Sequence, residues 1–180
     1  GMRWMDTKGK TVRPETGGAY NLKEAEGVIR ILRRLSIDFG FEGSIGVTTP
    51  FHLQADMITK ALERDSELRN HLELHNQILI DTVHKFQGDE RDVIIFSPVV
   101  SEGTKSQSLM FLKSTGNLFN VAITRARSLL VTVGDKQYCK QCGVSYLEHF
   151  AEYSSGNEAP VEASEWEHIL QKALSDAGIP

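Results

Sequence analysis

Asp81-Thr82-Val83-His84-Lys85-Phe86-Gln87-Gly88-Asp89-Glu90-Arg91-Asp92 is a polar segment between two apolar ones. After it, residues 92–100 are nearly continuous apolar sequence, as expected of a strand buried on both faces. Before it, residues 78–83 read as another strand. The pattern returns at Asn120-Val121-Ala122-Ile123-Thr124-Arg125-Ala126-Arg127, where a predicted short helix over 118–126 feeds a buried strand over 129–133, stopped by Gly134-Asp135.

Further upstream, Ser44-Ile45-Gly46-Val47-Thr48-Thr49 reads as a strand ended by Pro50, which suits the first turn of a helix. That helix is predicted over 51–62, with Leu53, Met57, Ile58 and Leu62 inward, and a second helical piece over 66–74. Ala25, Val28, Ile29, Ile31, Leu32 and Leu35 recur at near-helical spacing, which predicts an amphipathic helix to about residue 35. Asn21 is its N-cap, and Glu24 stands in capping-box position. Residues 1–19 show no sustained period and are expected to be a connector. Residues 101–108 read as a polar loop, 136–157 as helical, and 164–177 as an amphipathic helix carrying Trp166, Ile169, Leu170, Ala173 and Leu174. Strands alternating with helices predict an α/β fold, a parallel sheet flanked by helices, with a C-terminal helical extension. Ligands on such sheets gather beyond the carboxyl ends of the strands. The polar clusters at 49–54, 81–90 and 120–127 are therefore expected along that edge.

Composition narrows the class. The chain has 180 residues, 40% apolar and 24% charged, with a net charge of −4. That is the make-up of a globular protein without a global basic field. No apolar run approaches the roughly 20 residues of a membrane span, and no secretory signal is evident, so a cytoplasmic location and no membrane partner are expected. Cys139 and Cys142 are spaced C-x-x-C. A zinc site needs about four ligands, and His149 is the one further candidate, so no metal is expected, and the cysteines read as reduced thiols.

The two polar clusters each allow two readings. Gly88 after a strand lets a backbone approach a phosphate, and Glu90 can accept a hydrogen bond from a ribose hydroxyl. A plain Gly-Asp turn between strands gives the same residues. Arg125 and Arg127 either reach over a neighbouring domain's phosphates or pair with a local acid at the surface. The chain has no G-x-x-x-x-G-K-[ST] loop. Asp89-Glu90 follows Gly88 instead of ending an apolar strand, so it does not read as a Mg²⁺-binding pair.

Three ordered segments carry a family resemblance: Ile45 to Gln54, Thr82 to Ser97, and Asn120 to Arg127. They resemble motifs IV, V and VI of superfamily 1 helicases, of the branch that includes the nonsense-mediated-decay RNA helicase and its DNA-replication relatives. The resemblance implies the second RecA-like motor domain of such an enzyme, over residues 20–143, with 144–180 as an extension. It implies that Arg125 is the arginine finger and that Gln87, Gly88 and Glu90 contact ATP. It further implies that Thr49, Pro50, Phe51, Thr82 and His84 lie along single-stranded nucleic acid. Asn21 and Glu24-Ala25 resemble an Asn-x-x-Glu-Ala pattern preceding motif IV, and Gln54 matches that motif's glutamine, with no role assigned. ATP and Mg²⁺ would be held mainly by an upstream RecA-like domain of the same protein. Leu22 stands where some relatives carry a phosphate-binding arginine, Asn117 and Leu118 replace a basic pair, and Phe51 replaces a common tyrosine. The alternative function is a non-catalytic RecA-like nucleic-acid-binding or scaffold module of a larger nuclease. The 164–180 tail resembles the first helix of Vsr-like nuclease domains that follow some bacterial helicases. It reads equally as a helix packed on the sheet.

Overall fold

The computed structural model of the chain describes residues 1–86, 88–159 and 163–178. Strands β1 (Met2–Asp6), β2 (Ser44–Thr49), β3 (Gln77–Thr82), β4 (Arg91–Phe96) and β5 (Ala126–Gly134) form one parallel sheet in the order β1-β5-β4-β2-β3. Eight α-helices are described: α1 (Leu22–Arg33), α2 (His52–Glu63), α3 (Ser66–His75), α4 (Ser106–Ser114), α5 (Gly116–Thr124), α6 (Lys136–Cys139), α7 (Ser145–Tyr153) and α8 (Ala163–Asp176). The expected α/β fold of a parallel sheet flanked by helices is the observed one.

The strands alternate their side chains between two cores, as the two-residue period requires. Ile45, Val47, Val93, Ile95, Leu129, Val131 and Val133 face one core with Val28, Ile31 and Leu32 of α1, Ile58 of α2, and Trp166 and Leu170 of α8. Ile94, Phe96, Leu130 and Trp4 face the other, with Leu112 of α4, Phe119 of α5, and Leu147 and Phe150 of α7. Burial on both faces is why β4 reads as an unbroken apolar run.

Four expectations change. The N-terminal segment begins with an edge strand where a connector is expected. Trp4 is fully buried there, and its indole N–H donates to the Gly134 carbonyl at 3.0 Å. One inward tryptophan in a five-residue strand gives too little period to detect. The polar loop gives way at Ser106 to α4, and the 136–157 stretch is two helices separated near Gly143. α1 ends at Arg33 and continues as a π-helical turn, Arg34–Asp38. Helix α8 packs against β5 and places Trp166, Leu170 and Ala173 in the first core.

The connection from β3 to β4 contains no α-helix. A 3₁₀ turn, Val83–Phe86, starts it, and the segment crosses β2 to reach the other end of the sheet. Gly46 makes this possible, because a Cβ there would stand 2.5 Å from Cε1 of Phe86. Gly46→Ala is therefore expected to destabilise the fold by about 1–3 kcal/mol, the range for overpacking a filled core. A urea midpoint unchanged from wild type would remove Phe86 as the reason for the glycine.

Candidate nucleotide edge and strand edge

The strand registers divide the predicted site residues between opposite ends of the sheet. Arg91 pairs with Ala126 where β4 and β5 begin, and the Arg91 N–H donates to the Arg125 carbonyl at 3.0 Å. Gly88, Glu90, Arg125 and Arg127 thus lie at the amino ends of the strands. Thr49 and Thr82 pair with each other where β2 and β3 end, so they and the adjoining Pro50 and Phe51 lie at the carboxyl ends. The expectation of three clusters along one carboxyl edge is corrected. A helix that feeds a strand delivers its last residues to the strand's start, and the crossover carries Gly88 to the same end.

At the amino edge, Gly88 has φ +80° and is exposed, with nothing within 4 Å of where a Cβ would stand. Its backbone is open to a ligand, in a conformation that glycine adopts without cost. Gln87, the third residue expected to contact ATP, lies outside the described residues. Asp89 pairs with Arg91 at 2.7 Å, and Glu90 pairs with Arg127 at 3.3 Å. Arg125 caps the C-terminus of α5, with its own N–H donating to the Ala122 carbonyl. Its side chain is half-buried, its Nε is buried without a hydrogen-bond partner, and it makes no ion pair among the described residues. A guanidinium without an acid partner among the described residues, at the same sheet end as an open glycine turn, suits phosphate oxygens. Among the described residues no three His, Cys, Asp or Glu side chains converge on a metal position.

At the carboxyl edge, Thr49, Pro50, Phe51 and Thr82 are buried, and of the five residues expected along a nucleic-acid strand His84 alone is exposed. The Thr49 hydroxyl accepts from the Phe51 N–H at 3.4 Å, and the Thr82 hydroxyl is buried without a partner. Phe51 underlies a cleft of 540 Å³ bordered by Arg13, Gly18, His52, Gln107 and Phe111. Phe111 packs on Phe51 with ring centroids 5.6 Å apart and remains 38% exposed. Arg13 and Phe111 escaped the sequence reading, since one sits in an aperiodic segment and the other on the unpredicted α4. The exposed neighbour Met110 is the signal that could have marked that helix's outer face.

The pattern around Asn21 and Gln54 also acquires a structural role. Asn21 caps α1, accepting from the N–H groups of Lys23 at 2.9 Å and Glu24 at 3.2 Å. Glu24 does not complete a capping box. It turns inward, where its Oε2 accepts from the Ser97 hydroxyl at 2.6 Å and the Val99 N–H at 2.9 Å. Gln54 accepts from the Asn21 N–H at 2.9 Å and donates to Ser97 at 3.0 Å. Three elements are joined this way: the start of α1, the start of α2, and the end of β4. Burial pushes the Glu24 carboxyl up to about 8, against the bonds from Ser97 and Val99 that favour its ionised form. Cys139 and Cys142 are both buried, and burial raises both thiols above their ordinary value.

A five-stranded parallel sheet covered by helices on both faces is an α/β architecture of the RecA-like kind. Residues 1–137 match the family described as the AAA domain. The chain is 35% identical over 163 residues to DNA polymerase alpha-associated DNA helicase A of Saccharomyces cerevisiae, covering 86% of this chain and 22% of that protein. It is 35% identical over 141 residues to helicase sen1 of Schizosaccharomyces pombe, covering 77% and 8%. Regulator of nonsense transcripts 1 of Dictyostelium discoideum is 36% identical over 110 residues, covering 60% and 8%. The chain belongs to the AAA-domain family and is a RecA-like domain of the superfamily 1 helicase type. It spans about a fifth or less of the length of these relatives. No helix among the described residues is long and apolar enough to cross a membrane.

Proposed function

We propose that this chain is the second motor domain of an ATP-dependent DNA or RNA helicase or translocase, and that it supplies Arg125 to a nucleotide held by another RecA-like domain of the same protein. The observation that carries the reading is the state of the three arginines at the amino edge. Arg91 and Arg127 pair with acids, whereas Arg125 has no acid partner among the described residues; its Nε, like that of Arg91, is buried without a hydrogen-bond partner. An arginine held this way by its own backbone is available to stabilise charge on a γ-phosphoryl group. Gly88 offers backbone close to the phosphates, and Glu90 offers acceptors to ribose hydroxyls. Mg²⁺ in this scheme is held by the other domain. Nucleic acid passes the opposite edge, over His84 and the Arg13–Phe111 cleft. Contact there rests on phosphate attraction and ring stacking, which makes binding salt-sensitive and tolerant of sequence.

The test is hydrolysis by the purified chain against that of the full-length protein. The chain alone is expected to show no ATP turnover with or without single-stranded nucleic acid, and the full-length protein to show strand-stimulated turnover. Robust hydrolysis by the chain alone would overturn the reading, because it would place a complete phosphate cradle within these residues.

A further inference from the structure

Arg127 lies two residues past Arg125, at the start of β5, and its contacts form a relay. Its Nη1 donates to Oδ1 of Asp92 at 3.4 Å, and its Nε donates to Oε2 of Glu90 at 3.3 Å. Asp92 is nearly buried and locked in place. Its Oδ2 accepts from both the N–H and the hydroxyl of Ser44, each at 2.8 Å, and its carbonyl accepts from the Ser128 hydroxyl at 2.9 Å. Asp92 is thereby tied to β2 and β5 from its place on β4. Glu90 has none of this support. It is exposed, stands two residues past the open Gly88 turn, and has Arg127 as its one ion-pair partner among the described residues.

An exposed ion pair of this kind contributes little to stability, so its effect is on direction. A carboxylate offers acceptor sites on two oxygens. Arg127 occupies one on Oε2 and leaves Oε1 for a ligand. We propose that Arg127 is a positioning residue that joins Glu90 to the Ser44–Asp92 anchor and so presents the Glu90 carboxylate to the vicinal hydroxyls of a nucleotide ribose. The inference rests on the reading of Glu90 as the ribose acceptor.

The experiment compares kcat/KM for ATP with that for 2′,3′-dideoxy ATP in the full-length protein. Wild type, Glu90→Ala, Arg127→Gln and Arg127→Lys are measured side by side. Wild type is expected to prefer ATP. Glu90→Ala, which removes both acceptor oxygens, is expected to bring the preference close to unity. Arg127→Gln is expected to lower it by about threefold to tenfold, the value of a misdirected hydrogen bond, with Arg127→Lys falling between. A general loss of structure lowers both substrates together and leaves the ratio alone. A full preference in both Arg127 variants, with the preference lost in Glu90→Ala, would overturn the positioning role while sparing the ribose reading. A full preference in Glu90→Ala would overturn the ribose reading itself and this inference with it.

Discussion

Arg125→Ala in the full-length protein is expected to leave nucleotide affinity near normal and to lower strand-stimulated ATP hydrolysis by about 10³- to 10⁵-fold, the range for arginine fingers. The loss falls on turnover because the guanidinium acts where charge develops in the transition state, and binding strength comes mostly from the other domain. The substitution should leave the domain's own structure intact. The hydrogen bond between the Arg91 N–H and residue 125 uses a backbone carbonyl, which alanine keeps. No ion pair among the described residues is lost, so no carboxylate is left buried without its partner. Arg125→Lys is expected to recover only a small part of the rate, because an ammonium cannot reproduce the planar fork of a guanidinium. Single-turnover hydrolysis, alongside equilibrium titration with a fluorescent nucleotide, separates the two quantities. Undiminished turnover in the alanine variant would remove the finger assignment.

Raising the pH from 5 to 8 is expected to weaken the fold through Glu24. The unfolded chain holds this carboxyl near its ordinary value of 4.5, and the folded chain holds it at about 8. Between those values the folded protein retains a proton that the unfolded chain has released. Stability from this group is therefore fully present below 4.5 and declines until the folded value is passed, on the order of 1.4 kcal/mol for each pH unit inside the window. Above it, the protein must bury a carboxylate whose Oε1 lacks a hydrogen bond. Glu24→Gln keeps the shape and the acceptor facing Ser97 and Val99 but cannot ionise. The difference in unfolding free energy between wild type and Glu24→Gln, measured by urea titration at pH 5, 6, 7 and 8, should move in favour of glutamine as pH rises. Taking the difference cancels the histidines, which both proteins share. Parallel stability profiles would show that Glu24 ionises in the folded state as readily as in the unfolded one.

The sequence made the sheet's interior easy to read and its edges hard. The centre of β4 announces itself because a strand buried on both faces leaves no polar interruption, and β2 is marked by the Pro50 that ends it. α1 does so through the spacing of Ala25, Val28, Ile31 and Leu32. β1 left almost no trace, since its one decisive residue, Trp4, owes its burial to Gly134 and Phe150, far away in sequence. The candidate site was legible as residue types, but its layout was not. Nothing local to Thr82 and Arg91 says that the segment between them carries the chain from one end of the sheet to the other. Nor could local pattern reveal that Thr49 and Phe51 would be buried. Glu24 shows the same limit. Its spacing from Asn21 matches a capping box, but Ser97 and Val99, more than seventy residues away, supply the contacts that turn it inward.

The helix-free crossover has a geometric consequence. From Thr82, level with Thr49, to Arg91, which falls two residues ahead of the Val93–Ile45 pairing, the chain must travel six strand residues back along β2 and two strand spacings across it. That diagonal is about 22 Å. The 3₁₀ turn supplies about 8 Å, and the remaining residues, even when extended, add about 17 Å. The slack is smaller than one residue, and Phe86 is pinned on Gly46 partway along. The segment therefore acts as a ruler, fixing the separation between the Thr82 end and the Arg91 end of the sheet. One inserted or deleted residue here would change that calibration.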